Sequence, residues 1–322
     1  MNLFIWSEYI DLEVISDFEE THNAKVRLDY YESNEEMIAK MQAGRQGTYD
    51  IIVPSTYYLT GLISQGLVQP LKRELLTNIG NLAPDFRKID VDPGNRYSLP
   101  YQWGTSGMVI LTDDISSITP SWSVLFDPES EPGNFLIFDT ARDAIGSALK
   151  YLGHSANTIV PEELAEARDL LTATKNRPTF MGFDNGVSGL AKVVSGVASV
   201  AQVYNGEAVR ASRETPGVHY VLPKEGCEIW VDLLAIPADA PNVELAHEFL
   251  NYLLEPEVAA KVAIFNSYAT PNQAAMAFIP EEDLNDPGIY PPPELVAKME
   301  YFKDLGAEGR IYDEIWNIVK SR

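Results

Sequence analysis

The chain has little cysteine and no long apolar run, and each shortage excludes a class of protein. Its 322 residues include a single cysteine, Cys227, so no internal disulfide can form, and we expect this thiol to pack as a small hydrophobic side chain. No apolar stretch reaches the ~18 residues that a membrane-spanning helix needs. The longest candidate, 193–204, is interrupted by polar residues. We therefore predict no membrane insertion.

Basic residues are also scarce. The chain has 24 Lys and Arg residues and 47 Asp and Glu residues, which gives a formal net charge of −23. Such a surface argues against nucleic acid and anionic membranes as partners. It favours cationic partners only weakly, because acidic surfaces also serve solubility. The amino terminus enters an apolar strand pattern at Leu3 without a basic segment or cleavage site, so no targeting signal is visible, although a removed signal would leave the same start.

Histidines are few, and no enzyme motif surrounds them. They are His22, His154, His219 and His247. No Gly-x-Ser-x-Gly and no phosphate loop occurs. His247 begins a pattern like that of zinc proteases, but Asn251 stands at the place of the second histidine, so we expect His247 on a helix surface. A sugar hydrolase could use Asp139 and Asp143, which are explained more simply as strand-end and helix residues. The sequence predicts no enzyme, no cofactor and no metal.

Strand patterns alternate with helix patterns along the chain. Apolar runs or alternation predict strands at 3–6, 26–30, 50–53, 108–111, 135–138 and 198–203, and a repeat of three to four residues predicts helices from 10 and over 141–152 and 243–254. Ser33 to Glu36 offers a capping box for a further helix, and Ser55 and Thr56 stand where they could cap the next one. Repeated βα units predict an α/β protein with largely parallel sheets, in two domains because of its length.

Aromatic residues stand within two positions of a carboxylate or hydroxyl at 6–9, 55–58 and 230–232. An aromatic face attracts a cation and a carboxylate fixes it by a charge-assisted hydrogen bond, so the pairing suits an ammonium ligand. The first two groups follow predicted strands, where ligands of parallel sheets gather. Trp230 and Asp232 lie two apart in an extended stretch and point to one side. A buried Asp232 needs a partner, which could also be a structural ion pair. Together the groups predict a pocket for a small polycation.

Motifs in order along the whole chain resemble those of spermidine/putrescine-binding proteins. They occupy 6–9, 31–37, 49–58, 99–104, 230–237, 268–272 and 311–314. The resemblance implies the type II periplasmic binding protein fold, in which two α/β lobes hold the ligand in a cleft between them and close on a hinge. The first lobe is expected at 1–104 plus 231–276 and the second at 105–230 plus 277–322.

The resemblance also implies function and partners. Such a protein captures a polyamine, as a monomer, in the periplasm or anchored on the outer face of the cytoplasmic membrane, and delivers it to the permease of an ABC importer. Two alternatives stay open. The same fold could bind another small cationic amine, or it could serve as a ligand sensor for a membrane receptor.

Carried over by position, the resemblance implies a set of ligand contacts. They are Trp6, Ser7, Glu8, Tyr9, Ser55, Tyr57, Asp143, Tyr204, Trp230, Asp232 and Tyr268. Asp143 stands where the family has Glu. Thr140 replaces an acid, Tyr204 a tryptophan and Phe302 a glutamine, so Thr140 and Phe302 are possible contacts, and Asp139 is a possible substitute acid. These departures leave open which polyamine is preferred.

Overall fold

The computed structural model describes residues 1–43 and 47–321. The chain divides into two compact units: unit 1 comprises Met1–Trp103 and Val231–Asn285, and unit 2 comprises Gly104–Trp230 and Asp286–Arg322. The chain therefore passes between units after residues 103, 230 and 285, whereas the sequence prediction places these passages after 104, 230 and 276.

The described strands alternate with helices over most of the chain. The strands are β1 (Asn2–Trp6), β2 (Arg27–Tyr31), β3 (Ile51–Ile52), β4 (Ser98–Leu111), β5 (Phe135–Phe138), β6 (Phe180–Asp184), β7 (Val200–Tyr204), β8 (Val218–Val221), β9 (Glu228–Ala235) and β10 (Glu300–Tyr301). The helices are α1 (Leu12–His22), α2 (Asn34–Gln42), α3 (Thr56–Ser64), α4 (Ser123–Phe126), α5 (Ala141–Leu152), α6 (Pro161–Lys175), α7 (Gly186–Val194), α8 (Asn205–Glu214), α9 (Val243–Leu253), α10 (Pro256–Asn266), α11 (Glu281–Leu284), α12 (Pro293–Val296) and α13 (Arg310–Ser321). None of the helices in this part of the chain is long and apolar enough to cross a membrane.

Unit 1 is built on the strand order β2-β1-β3-β9. The first three strands are parallel, and β9 joins β3 in the antiparallel sense where Ile52 faces Ala235. Phe4, Leu59 and Leu233 form part of the core beneath this sheet. The alternation of strands with α1, α2 and α3 explains the parallel part, because parallel neighbours require a crossover helix.

Unit 2 places β5 between β6 and β7, parallel to both, while β4 runs antiparallel to β7 and β8. The short strand β10 pairs with β9 in parallel, with Glu300 opposite Glu228. Both units therefore have mixed sheets, whereas the sequence pattern favours largely parallel ones. The antiparallel pairs involve β4 and β9, the two strands that lead from one unit to the other and need no crossover helix.

Helix ends follow the predicted capping signals in α2. The Ser33 hydroxyl accepts a hydrogen bond from the Glu36 amide at 3.1 Å, and the Glu36 carboxylate accepts from the Glu32 amide at 3.0 Å. The box is thus offset by one residue from the ideal pattern, in which the carboxylate would bond the amide of the N-cap residue itself.

The predicted surface position of His247 is wrong. His247 lies on α9, as the pattern predicts, but it is fully buried instead of on the surface. Its Nε2 accepts the Lys72 amide at 2.8 Å, so Nδ1 carries the proton and donates to the Val243 carbonyl at 2.7 Å. The chain around residue 72 covers this face of the helix, which no local pattern reveals. Cys227 is buried, as expected.

Candidate functional site

Asp232 is the buried acid of unit 1, and it is held by two hydroxyl groups. It lies on β9 with 6% of its surface exposed. Its Oδ2 accepts a hydrogen bond from the Tyr9 hydroxyl at 2.8 Å, and its Oδ1 accepts one from the Ser55 hydroxyl at 2.7 Å. The partner that a buried Asp232 requires is therefore a pair of neutral donors. Within the described residues, it takes part in no ion pair.

Burial changes the acidity of this carboxyl group. Loss of solvent raises the pKa of Asp232 from its ordinary value of 3.8 to about 6, although the hydrogen bonds from Ser55 and Tyr9 lower it. The carboxyl group is therefore mostly ionised at neutral pH and lacks a compensating positive charge. Such a group attracts a cationic ligand.

Ser55 reaches Asp232 because of its position at the start of a helix. It occupies the N-cap of α3, as predicted, but its side chain makes no cap hydrogen bond. Asn34 instead fixes Ser55 from the side, since its Oδ1 accepts the Ser55 amide at 3.0 Å and its Nδ2 donates to the Ser55 hydroxyl at 3.2 Å. The hydroxyl hydrogen is then available to Asp232, so the predicted capping role of this side chain is replaced by an acid contact.

Tyr9 is positioned by other aromatic residues of unit 1. Its ring makes edge contacts with the rings of Tyr101 and Tyr268, with centroids 5.5 and 5.7 Å away. Its backbone carbonyl accepts hydrogen bonds from the Tyr101 hydroxyl and the Asn266 side chain, both at 2.9 Å. The structure thus brings the predicted contacts Tyr9, Ser55, Asp232 and Tyr268 into one group.

Trp6 borders the same part of unit 1. Its Nε1 donates to the Val53 carbonyl at 3.0 Å, and its half-buried ring lies 4.6 Å from the ring of Tyr31. The Tyr31 hydroxyl donates to the same carbonyl at 2.5 Å. These bonds fix an indole at the end of β1, where the strand pattern predicts ligand contacts.

The remaining predicted contacts of unit 1 are Ser7, Glu8 and Tyr57. Ser7 and Glu8 are exposed, and the Ser7 hydroxyl donates to Glu32 at 2.6 Å. Glu8 has a φ of +54°, a left-handed conformation that non-glycine residues seldom adopt. Tyr57 is half-buried with its ring centroid 4.6 Å from that of Tyr58. These side chains lie nearer to solvent than the group around Asp232.

Asp143 is the corresponding acid of unit 2. It lies in the first turn of α5 with 6% of its surface exposed. It accepts hydrogen bonds from the Thr140 hydroxyl at 2.5 Å and from the Ser106 hydroxyl at 3.4 Å. Burial raises the pKa of Asp143, and these donors together with nearby Arg142 lower it. Thr140 thus contacts the acid, and its side chain makes no cap hydrogen bond to α5.

Two aromatic residues of unit 2 form a second group. The Tyr204 ring centroid lies 4.6 Å from that of Phe138 and 6.3 Å from that of Trp230, which it meets edge-on. Gly104 provides the room for this tryptophan, because a Cβ on Gly104 would lie 2.4 Å from Cζ2 of Trp230. Any side chain at this glycine would displace the indole.

Two of the possible contacts have partners of their own. Asp139 forms an ion pair with Lys320 at 2.5 Å on the surface of unit 2. Phe302 is buried, and the guanidinium of Arg142 lies 4.6 Å from its ring centroid. The Asp139 carboxylate is therefore directed to a lysine instead of replacing the acid absent at Thr140.

Glu228 is a buried acid for which the sequence pattern predicts no role. It begins β9, is fully buried, and shares one side of the strand with Trp230 and Asp232 by the alternation of side chains. Burial and the charge of Asp143 raise its pKa well above the ordinary range. The sequence feature that indicates it is a Glu at the same two-residue spacing as Trp230 and Asp232 in an apolar strand.

No group of acids, histidines and cysteines among the described residues could hold a metal ion.

Comparison with known proteins shows the family of this chain. A profile of the family described as bacterial extracellular solute-binding protein matches residues 13–313. The spermidine/putrescine-binding periplasmic protein of Escherichia coli strain K12 is 37% identical over 318 residues, which cover 98% of this chain and 90% of that protein.

Solved structures agree over the same length. A putative spermidine/putrescine ABC transporter protein from Listeria monocytogenes superimposes with a TM-score of 0.88 at 33% identity, covering 99% of this chain and 98% of that one. The Tp0655 lipoprotein of Treponema pallidum gives a TM-score of 0.85 at 28% identity, covering 100% and 99%. These matches show the two-lobe α/β solute-binding fold. The chain therefore belongs to the bacterial extracellular solute-binding protein family.

Proposed function

We propose that the protein binds a polyamine of the spermidine and putrescine class outside the cytoplasmic membrane and delivers it to the permease of an ABC importer. The observation that carries the proposal is the buried carboxyl group of Asp232, which has two hydroxyl donors beside aromatic rings and no cationic partner among the described residues. The names of the relatives, one periplasmic and one a lipoprotein, support both the ligand class and the compartment.

In unit 1 an ammonium group of the ligand pairs with Asp232. The hydroxyls of Tyr9 and Ser55 occupy one position on each carboxylate oxygen, which orients the acid and leaves other lone pairs for the ammonium. A cation that approaches the face of a tryptophan such as Trp6 gains about 2 kcal/mol when it is desolvated. The methylene segments of a polyamine pack against the aromatic walls, which exclude water and strengthen the ionic contact.

In unit 2 the acid that pairs with an ammonium group is Asp143. The hydroxyl of Thr140 orients this carboxylate, while Tyr204 and Trp230 provide apolar faces for methylene groups. Thr140 stands where the family has an acid, so Asp143 is the predicted ammonium partner in this unit.

A thermal-shift screen tests the ligand class. The melting temperature is measured with putrescine, cadaverine, spermidine and spermine, and with basic amino acids and quaternary amines as comparison ligands. A ligand present at 100 times its Kd stabilises the folded state by about 2.7 kcal/mol, which gives a measurable shift. We expect shifts with polyamines, and no shift with any of them would overturn the ligand class. Uptake of labelled polyamine by cells with and without the gene tests the transport role.

A further inference from the structure

The carboxyl group of Glu228 lies close to the amine-binding acid of unit 2. A Cβ on Gly146 would lie 2.5 Å from Glu228 Oε1, so the acid occupies the space that a side chain at this glycine would fill. Gly146 is three residues after Asp143 on α5, and residues at this spacing share a helix face. Glu228 therefore lies one helical turn deeper than Asp143, on the same side of α5.

Neither oxygen of this carboxyl group has a partner in another described residue. Glu228 is fully buried, and no hydrogen bond from elsewhere in the described chain reaches Oε1 or Oε2. The positive charges of Lys150 and Arg142 lower the pKa of Glu228, but by less than burial and Asp143 raise it, and both cations are engaged by other groups. Lys150 forms an ion pair with Glu300 at 2.9 Å, and Arg142 donates to Asn157 at 2.8 Å.

The other titratable groups that face Glu228 do not supply a positive charge. They are Asp143 on α5, Cys227 immediately before β9, Tyr220 on β8 and Glu300 on β10. The pKa values of the Cys227 thiol and the Tyr220 hydroxyl are raised by burial, so both stay neutral. Two adjacent buried carboxylates cannot both ionise without a compensating cation, because each raises the pKa of the other. A proton is the simplest such cation, and an ammonium group is the alternative.

We propose, on the basis of the proposed function, that Asp143 and Glu228 form one acid pair that holds a single proton when unit 2 is empty and releases it to solvent when a ligand ammonium binds at Asp143. The positive charge of the ammonium replaces that of the proton, so the total charge of the site is conserved. Asp143 contacts the ligand, and Glu228 acts through the effect of its charge on Asp143. One proton is then released for each ligand that binds. Affinity therefore rises about tenfold per pH unit over the pH range in which the empty pair is protonated.

Calorimetry in two buffers of different ionisation enthalpy counts the proton. Putrescine and spermidine are titrated at about pH 7.5, where Asp232, with a pKa of about 6, contributes little. We expect close to one proton released by the wild type and close to none by Glu228→Gln. The exposed Glu308→Gln of the same unit is the matched control and should behave as the wild type. Binding without proton release in the wild type, or equal release by Glu228→Gln, would overturn the pair while leaving the ligand class intact.

Infrared spectra of the empty protein test, without any ligand, whether the pair of Asp143 and Glu228 carries a proton. At the same pH the wild type should show the C=O stretching band of a protonated carboxyl group, and Glu228→Gln should lack it. If Glu228→Gln does not fold, the wild-type proton count and band decide alone. If no polyamine produces heat or a thermal shift, the proposed function fails, and a band that persists would still place the proton in the empty protein. A wild type without the band contradicts the pair.

Discussion

The acid of unit 1 and the acids of unit 2 are buried to a similar degree but are stabilised in different ways. Asp232 receives a hydroxyl donor on each oxygen, at 2.8 and 2.7 Å. Asp143 receives one close donor and a second at 3.4 Å, and neighbouring Glu228 receives none from another described residue. Hydrogen bonds to the charged form favour ionisation, and a neighbouring acid opposes it.

This difference separates two ways of preparing a buried site for a cation. In unit 1 the hydroxyls keep an isolated carboxylate mostly charged at neutral pH, so an ammonium can bind without displacing a proton. In unit 2 the paired acids favour a retained proton that a ligand must displace. We expect unit 1 to provide affinity that changes little with pH above about 6, and unit 2 to provide the pH dependence.

The largest expected effect concerns the stability of the empty protein. Because folding raises the pKa of Asp232 from 3.8 to about 6, the folded state favours its protonated form, and this group's contribution to stability is lost as the pH rises between those values. Each pKa unit corresponds to about 1.4 kcal/mol, so the wild type should lose up to about 3 kcal/mol relative to Asp232→Asn between about pH 4 and pH 7. Denaturant unfolding of both proteins at the two pH values measures this difference in unfolding free energy. The same change with pH in the wild type and the variant would contradict a buried Asp232 without a cationic partner.

Asp232→Asn should also weaken ligand binding. The variant removes the charge that pairs with the ammonium, so we expect a loss of about 2 kcal/mol or more for putrescine, spermidine and spermine. Calorimetry measures the loss, with the exposed Asp90→Asn as control. Stability gained and affinity lost in one variant would identify Asp232 as a functional acid, whereas unchanged affinity would remove it from the site.

A smaller effect is expected from one of the donors to Asp232. Tyr9→Phe removes a hydrogen bond to the carboxylate, which should weaken binding by about 1 kcal/mol and raise the pKa of Asp232 further. Tyr49→Phe is the matched control, because the Tyr49 hydroxyl also donates to an aspartate, Asp29, at an exposed position. The affinity of both variants is measured above and below pH 6. Equal behaviour of the two would mean that the Tyr9 hydroxyl does not tune the acid.

The smallest effect is expected at the edge of unit 2. Asp139→Asn breaks a surface ion pair with Lys320, and such changes are usually within about 0.5 kcal/mol. Polyamine affinity should therefore stay within about a factor of two of the wild type. A tenfold loss would instead identify Asp139 as a ligand contact. It would then no longer be a surface acid that stands apart from the pair of Asp143 and Glu228.

Much of the fold could be predicted from local pattern. The predicted strand at 135–138 and helix at 141–152 coincide with β5 and α5, because apolar runs and helical spacing reflect burial within one element. Strand β4 is the main miss in length. It runs over Ser98–Leu111, whereas the pattern predicts only 108–111, since Pro100 and Gly104 weaken the strand signal.

Parts of the candidate site could be predicted, and others could not. The two-residue spacing of Trp230 and Asp232 correctly predicts an extended strand and a partner for the acid. The identity of the partners depends on contacts between residues about 180 to 220 positions apart, which no spacing encodes. Glu228 shows the same limit, since its nearness to Asp143 arises from the packing of β9 against α5.

The sequence by itself determined the repeating βα elements, the aromatic and acidic pairs and the likeness to polyamine-binding proteins, because these depend on the order of residues along the chain. Only the tertiary structure decided which acids are isolated and which are paired, and which hydroxyls face them. The physical reason is that charge in a buried site depends on distance and solvation, and both are set when remote segments pack together. Asp232 and Asp143 are the same residue type, and their surroundings alone make them different.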